Sequence, residues 1–269
     1  MTRKFEISKT ISKNSDIEIL PEIKQTGNVL INIRGSNGSG KSYTVRKIIE
    51  NFGKGELKSI EVPSEKHGTL TFPYYEYDDF FLLGSYERDC GGLDVIRDFY
   101  VIAPMVKDLI RTKSVVMEGI LWSSVFSAMY RLDRELRAMG HVSVWCGFNH
   151  PCELHLERIM ERRARAGKFE PMQIKHVLEK IKSTEKGLNH AIFYGANVLI
   201  GPTEYLAPIV ADILKNNSIE GVDFEDNYHF VPDLEKWNEI YRSNREYKYS
   251  PSDELVKKYS TTNSLLELF

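Results

Sequence analysis

Gly35-Ser-Asn-Gly-Ser-Gly-Lys-Ser42 follows the apolar run Val29-Leu-Ile-Asn-Ile33 and precedes the helical pattern of Tyr43 to Glu50. A buried strand, a glycine-rich turn and a helix in that order make a phosphate-binding loop. The dense charge of a β- or γ-phosphate has to be solvated once water is expelled, and backbone N–H groups at a helix N-terminus do this. Gly35, Gly38 and Gly40 add no Cβ to that surface, and Ser39 lies between the last two. Lys41 is expected to reach the β- and γ-phosphates and the Ser42 hydroxyl to ligate Mg²⁺, with Tyr43 completing the nucleotide-binding set. The nucleotide expected there is ATP.

Outward from the loop, short apolar runs alternate with longer amphipathic stretches. Val29–Ile33, Val115–Met117, Val142–Cys146 and Val198–Ile200 look like parallel strands buried on both faces. Between them, Val45, Ile48 and Ile49, and later Leu154, Leu156 and Ile159, carry helical spacing. The alternation predicts an α/β fold, a doubly wound parallel sheet, with a helical lid and a C-terminal appendage. Residues 1–27 read as an N-terminal arm, 28–215 as the phosphate-loop domain with its lid near 155–172, and 216–269 as the appendage. A helix is expected over Asp94–Arg111, kinked near Ala103 by Pro104. Tyr74–Leu83 reads as one aromatic strand leading into Gly84.

Composition removes other classes. With 42% hydrophobic and 28% charged residues, the 269-residue chain is ordinary globular protein, and no apolar run approaches the ~18 residues of a membrane span. No secretory signal opens it, so a cytoplasmic setting is expected. Cys90, Cys146 and Cys152 have neither disulfide nor zinc spacing and read as reduced thiols. A net charge of -2 gives no global pull on nucleic acid, so any contact with DNA must come from a local basic surface.

Two further constellations carry chemistry. Val115-Val-Met-Glu-Gly119 ends a strand with a carboxylate where a doubly wound sheet opens on its ligand, so Glu118 is expected in the Mg²⁺ shell or against the acceptor. Glu157-Arg-Ile-Met-Glu-Arg-Arg-Ala-Arg-Ala-Gly-Lys168 sets Arg158, Arg162 and Arg165 on one helical face. Arginines closing over a phosphoryl group stabilise the charge that spreads in transfer. The competing reading is a solvated basic face.

The order of phosphate loop, Glu-Gly strand end and Glu157-Arg-Ile-Met-Glu-Arg-Arg163 resembles the nucleoside monophosphate kinase superfamily over about residues 28 to 215. That resemblance implies Arg158 near the adenine and Arg162 on the phosphates. Leu83-Gly-Ser-Tyr-Glu-Arg-Asp-Cys-Gly-Gly-Leu-Asp-Val-Ile96 with Val116-Met-Glu-Gly119 is similar to bacteriophage kinases that phosphorylate the hydroxymethyl group of 5-hydroxymethyluracil in DNA. The Asp78-Asp79-Phe80-Phe81 stretch instead resembles uridine-kinase-like enzymes, which use free nucleosides.

An alcohol acceptor needs a base for its proton. Asp94, after Cys90-Gly-Gly92, is the preferred candidate and Asp78 the second; as a plain N-cap, Asp94 would have no such role. A nucleotide-hydrolysing switch is the rival of another class, though no Asn-Lys-x-Asp string reads guanine here.

Overall fold

The structure, a computed structural model, describes residues 18–64, 68–86, 92–93, 101–119, 125–224 and 228–266. Strands β1 (Val29–Ile33), β2 (Glu56–Ser64), β3 (Gly68–Glu76), β4 (Phe80–Leu83), β5 (Ser114–Glu118), β6 (Val142–Gly147) and β8 (Asn197–Ile200) form one sheet in the order 2-3-4-5-1-6-8. From β4 to β8 every pairing is parallel, with Ile33 beside both Glu118 and Cys146. Burial explains why these runs are mostly apolar: all five residues of β1 and all five of β5 are buried, the polar Asn32, Ser114 and Glu118 among them.

Helices cover both faces. Val29, Ile31 and Ile33 point to α1 (Lys41–Ile49) and α6 (Thr203–Asn216), while Leu30, Met117 and Trp145 point to α2 (Ile102–Leu109), α3 (Phe126–Ala138) and α5 (Lys175–Phe193). This is the doubly wound arrangement read from the alternation. α2 is described from Ile102, which puts Pro104 in its first described turn; residues 94–100, over which the expected helix and its kink would be judged, lie outside the described residues.

The aromatic stretch Tyr74–Leu83 is two strands. β3 turns back at Tyr77-Asp78-Asp79 into β4, and β2 adds an antiparallel edge beyond it. Tyr77 stacks on Phe80 across the turn, with ring centroids 4.5 Å apart. Half of β2 is exposed, so it lacked the continuous apolar run that marks a buried strand.

A third core lies beyond the sheet. Cys152, Leu156, Ile159 and Met160 of α4 (Cys152–Arg165) pack with Leu178 and Ile181 of α5 and with Val231, Leu234 and Trp237. α7 (Leu234–Ser243), the two-residue pairing of β7 (Met172–Gln173) with β9 (Lys248–Tyr249), and α8 (Asp253–Leu266) complete it. None of the helices described is long and apolar enough to cross a membrane.

Candidate active site

The phosphate loop leaves β1 at the carboxyl end of the sheet. Arg34, fully buried, donates its amide to Cys146 O at 2.8 Å and stacks its guanidinium 4.6 Å from the Trp145 ring centre, which fixes the loop's entry. Gly38 has φ +77°, and a Cβ there would stand 2.4 Å from His155 O, so no other residue fits. Gly40 is the N-cap of α1; no side chain caps that end and no acid lies in its first turn. The uncapped N–H groups and the positive end of the helix dipole therefore face the loop, an arrangement that binds anions.

Lys41 is buried, with Nζ donating to Ser36 O at 3.1 Å. Ser42 Oγ donates to Glu118 Oε1 at 2.9 Å, joining the start of α1 to the end of the neighbouring strand. Glu118 is 1% exposed. Gly92 closes over it: its N–H donates to Ser85 O, and a Cβ there would come within 2.6 Å of Glu118 Oε1. A primary ammonium, a hydroxyl and a carboxylate thus converge beside a helix N-terminus. They suit a phosphate chain and a hard cation.

α4 seals the loop from above. His155 Nδ1 lies 2.7 Å from Ser36 Oγ, and burial pushes the imidazole down to about 4, so the ring is neutral near pH 7. Arg158 Nη1 donates to Gly38 O at 3.3 Å and Ser39 O at 3.2 Å, turning the loop's carbonyls toward a cation and leaving its N–H groups for an anion. Desolvation lowers the Arg158 pKa. Arg162 follows one turn along and is half-buried, and Arg163 pairs with Glu170. On the other side of the loop Thr44 and Thr203 hydroxyls meet at 2.6 Å, tying α1 to the turn after β8.

The C-terminal segment grips α4 at both ends. Its first N–H groups, on Cys152 and Glu153, donate to the two oxygens of Asp233 at 2.5 and 3.2 Å, and Trp237 Nε1 holds the same carboxylate at 3.0 Å. Near the other end Tyr259 donates its hydroxyl to Glu161 Oε1 at 2.9 Å, which with Lys258 at 3.4 Å lowers the Glu161 pKa. Between these grips lie His155 and Arg158, the residues that touch the loop.

The structure thus gathers Gly35, Gly38, Ser39, Gly40, Lys41, Ser42, Glu118 and Arg158, with Arg162 a turn away. Tyr43 stands on the exposed side of α1, 49% accessible. Asp94 lies outside the described residues, as does Cys90. Asp78 does not join the site: β4 starts at Phe80 beside Ser114, so the Asp78-Asp79 turn sits at the end of the sheet opposite Glu118, where Lys113 donates to Tyr77 O. The Ser36–His155 contact, Thr203 and Asp233 were not among the expected site residues. Nothing local in their sequence surroundings signals them, apart from Pro202-Thr203 at a strand end.

No protein-family model matches the chain. Three curated phage proteins, each called 5-hmdU DNA kinase, are similar to it. That of Delftia phage PhiW-14 is 27% identical over 221 residues, covering 78% of this chain and 80% of the relative. That of Pseudomonas phage PaMx11 is 33% identical over 138 residues, 50% of this chain and 69% of the relative. That of Pseudomonas phage M6 is 27% identical over 177 residues, 62% and 88%.

Proposed function

The chain belongs to the family of phage 5-hmdU DNA kinases, and from that premise we propose that it moves the γ-phosphoryl group of ATP to the hydroxymethyl oxygen of 5-hydroxymethyluracil in DNA. The observation that carries this reading is the Ser42–Glu118 hydrogen bond beside the buried Lys41, at a helix N-terminus. Phosphoryl transfer asks little covalent chemistry of the protein and much positioning and charge stabilisation. Lys41 would hold the β- and γ-phosphates against the loop's N–H groups. Arg158 braces the loop, and Arg162 meets charge that spreads over the equatorial oxygens in transit.

Mg²⁺ fits the residues present. It takes one or two protein oxygens and fills its remaining positions with phosphate oxygens and water, so the Ser42 hydroxyl and Glu118 carboxylate suffice, and among the described residues no larger ligand cluster occurs. Bound there, it supplies neutralisation of the β- and γ-phosphate charge. Glu118, at the same strand end, would alternatively contact the acceptor. Asp94 is proposed as the base that takes the hydroxymethyl proton; in the sequence it directly follows Gly92-Leu93, and Gly92 packs closely against Glu118.

A base stacked in a duplex cannot bring its 5-substituent in line with a γ-phosphate, so the target nucleotide is flipped out or unpaired. The test offers labelled ATP to oligonucleotides containing 5-hydroxymethyluracil or thymine and to free 5-hydroxymethyldeoxyuridine. Label is expected on the modified oligonucleotide alone. Efficient labelling of the nucleoside with none on DNA would overturn the reading.

A further inference from the structure

We propose that Tyr228 and Phe230, together with Lys182 and Lys186 of α5, form a docking surface for the unpaired DNA strand flanking the target base. The proposal rests on the reading of the chain as a DNA kinase and adds where the strand runs. Tyr228 is 43% and Phe230 56% accessible, whereas His229 between them and Val231 after them are buried. That alternation is enforced. His229 exchanges both backbone bonds with the Asn189 amide, donating to Oδ1 at 2.5 Å and accepting from Nδ2 at 3.1 Å. Its ring Nε2 lies 2.8 Å from Phe148 O, and Val231 N–H donates to Glu185 Oε1 at 3.2 Å. Two aromatic rings are thereby held outward on a fixed backbone.

The anchor places them near the chemistry. Phe148 follows the carboxyl end of β6, and its ring lies 3.1 Å from where a Cβ on Gly35, the first loop residue, would stand. The anchor also places them beside positive charge. Glu185 and Asn189 form one i,i+4 row on α5, and Lys182 and Lys186 form the adjacent row, with neighbours on such rows roughly 5–6 Å apart between Cβ atoms. Both lysines are exposed, and neither makes an ion pair among the described residues. Lys175 and Glu179, further along the same exposed face, answer each other at 4.0 Å.

An exposed ring stacks on a base only if the base shows a face, which duplex DNA conceals and unpaired DNA offers. Once the target base has left the stack, its neighbours present such faces. Ammonium groups beside the rings match the phosphodiesters that link those bases. Aromatic residues for bases and lysines for phosphates, side by side, fit a single strand better than a protein surface.

The test is binding of a fluorescent single-stranded oligonucleotide to the full chain without ATP. Tyr228→Ala with Phe230→Ala is expected to raise Kd roughly 10-fold or more, and the double Leu variant, which keeps apolar area but loses the flat rings, should do the same. Lys182→Ala with Lys186→Ala should weaken binding and lower the slope of log Kd against log salt by about 1.4, two phosphates' worth. Wild-type-like binding by the aromatic variants would overturn the surface. So would a wild-type dimer that these substitutions dissociate while DNA binding persists. In both cases wild-type transfer to modified DNA would still stand, which separates this failure from failure of the kinase reading.

Discussion

The phosphate loop and the arginine helix α4 touch through His155 and Arg158, yet they are held by opposite means. The loop is made by eight consecutive residues, Gly35 to Ser42, that run into the first turn of α1, and its shape follows from glycines and a helix start. α4 begins at Cys152 after Pro151 with no cap of its own and is completed by a carboxylate 81 residues later in the chain and a tyrosine 98 residues away. The first region is specified locally, the second by assembly. Damage to the loop should therefore abolish chemistry and spare the fold, whereas damage to the grip should cost some of both.

Lys41→Ala is the sharpest break in the local region. Transfer is expected to fall by roughly 10³-fold or more, with the thermal midpoint close to wild type; a collapse of the midpoint would mean that the two regions are not separable. Acid should act on both regions together. His155 under the loop and His229 in the C-terminal segment are each pushed by burial down to about 4 from an ordinary 6.5. The unfolded chain then binds more protons than the folded one between those values, so the contribution is full above about pH 6.5 and is lost as pH falls toward 4. Each ring should lower stability by about 2 kcal/mol between pH 7.5 and 5, measured by urea unfolding. His155→Gln and His229→Gln should each remove about half of that sensitivity. If one variant removes all of it, the regions do not respond alike.

Asp233→Ala probes the assembled region and should do least. Loss of the cap is expected to cost about 1 kcal/mol of stability and to lower kcat several-fold with little change in the KM for DNA. In an Arg158→Ala background the kcat effect should shrink, because the carboxylate acts through α4. Undiminished loss there would make Asp233 independent of the arginine helix.

What could be read from the chain follows the same division. The strands β1, β5, β6 and β8 were legible because each carries a buried, mostly apolar run; the loop was legible because its eight residues are contiguous. β2 escaped because its residues alternate between exposed and half-buried. Asp78 was misread because Tyr77–Phe80 stacking folds one aromatic run into a hairpin, carrying its carboxylates to the far end of the sheet. Asp233 occupies the N-cap position of α7, where a sequence reader would let it cap that helix, yet its oxygens serve α4 and Trp237 instead. No local pattern encodes that exchange.

The long-range grip also bears on when the protein becomes competent during its synthesis. Residues up to about 216 complete the sheet and the phosphate loop, but Asp233 and Tyr259 are made later. At ~5–20 residues per second, the 98 residues between Glu161 and Tyr259 take roughly 5–20 s to translate. Tyr259 must then clear the ribosome before α4 is clamped. The nascent chain can fold its phosphate loop before its arginines are fixed, so a chain cut between Asn216 and Asp233 would keep its sheet and loop without a secured arginine helix.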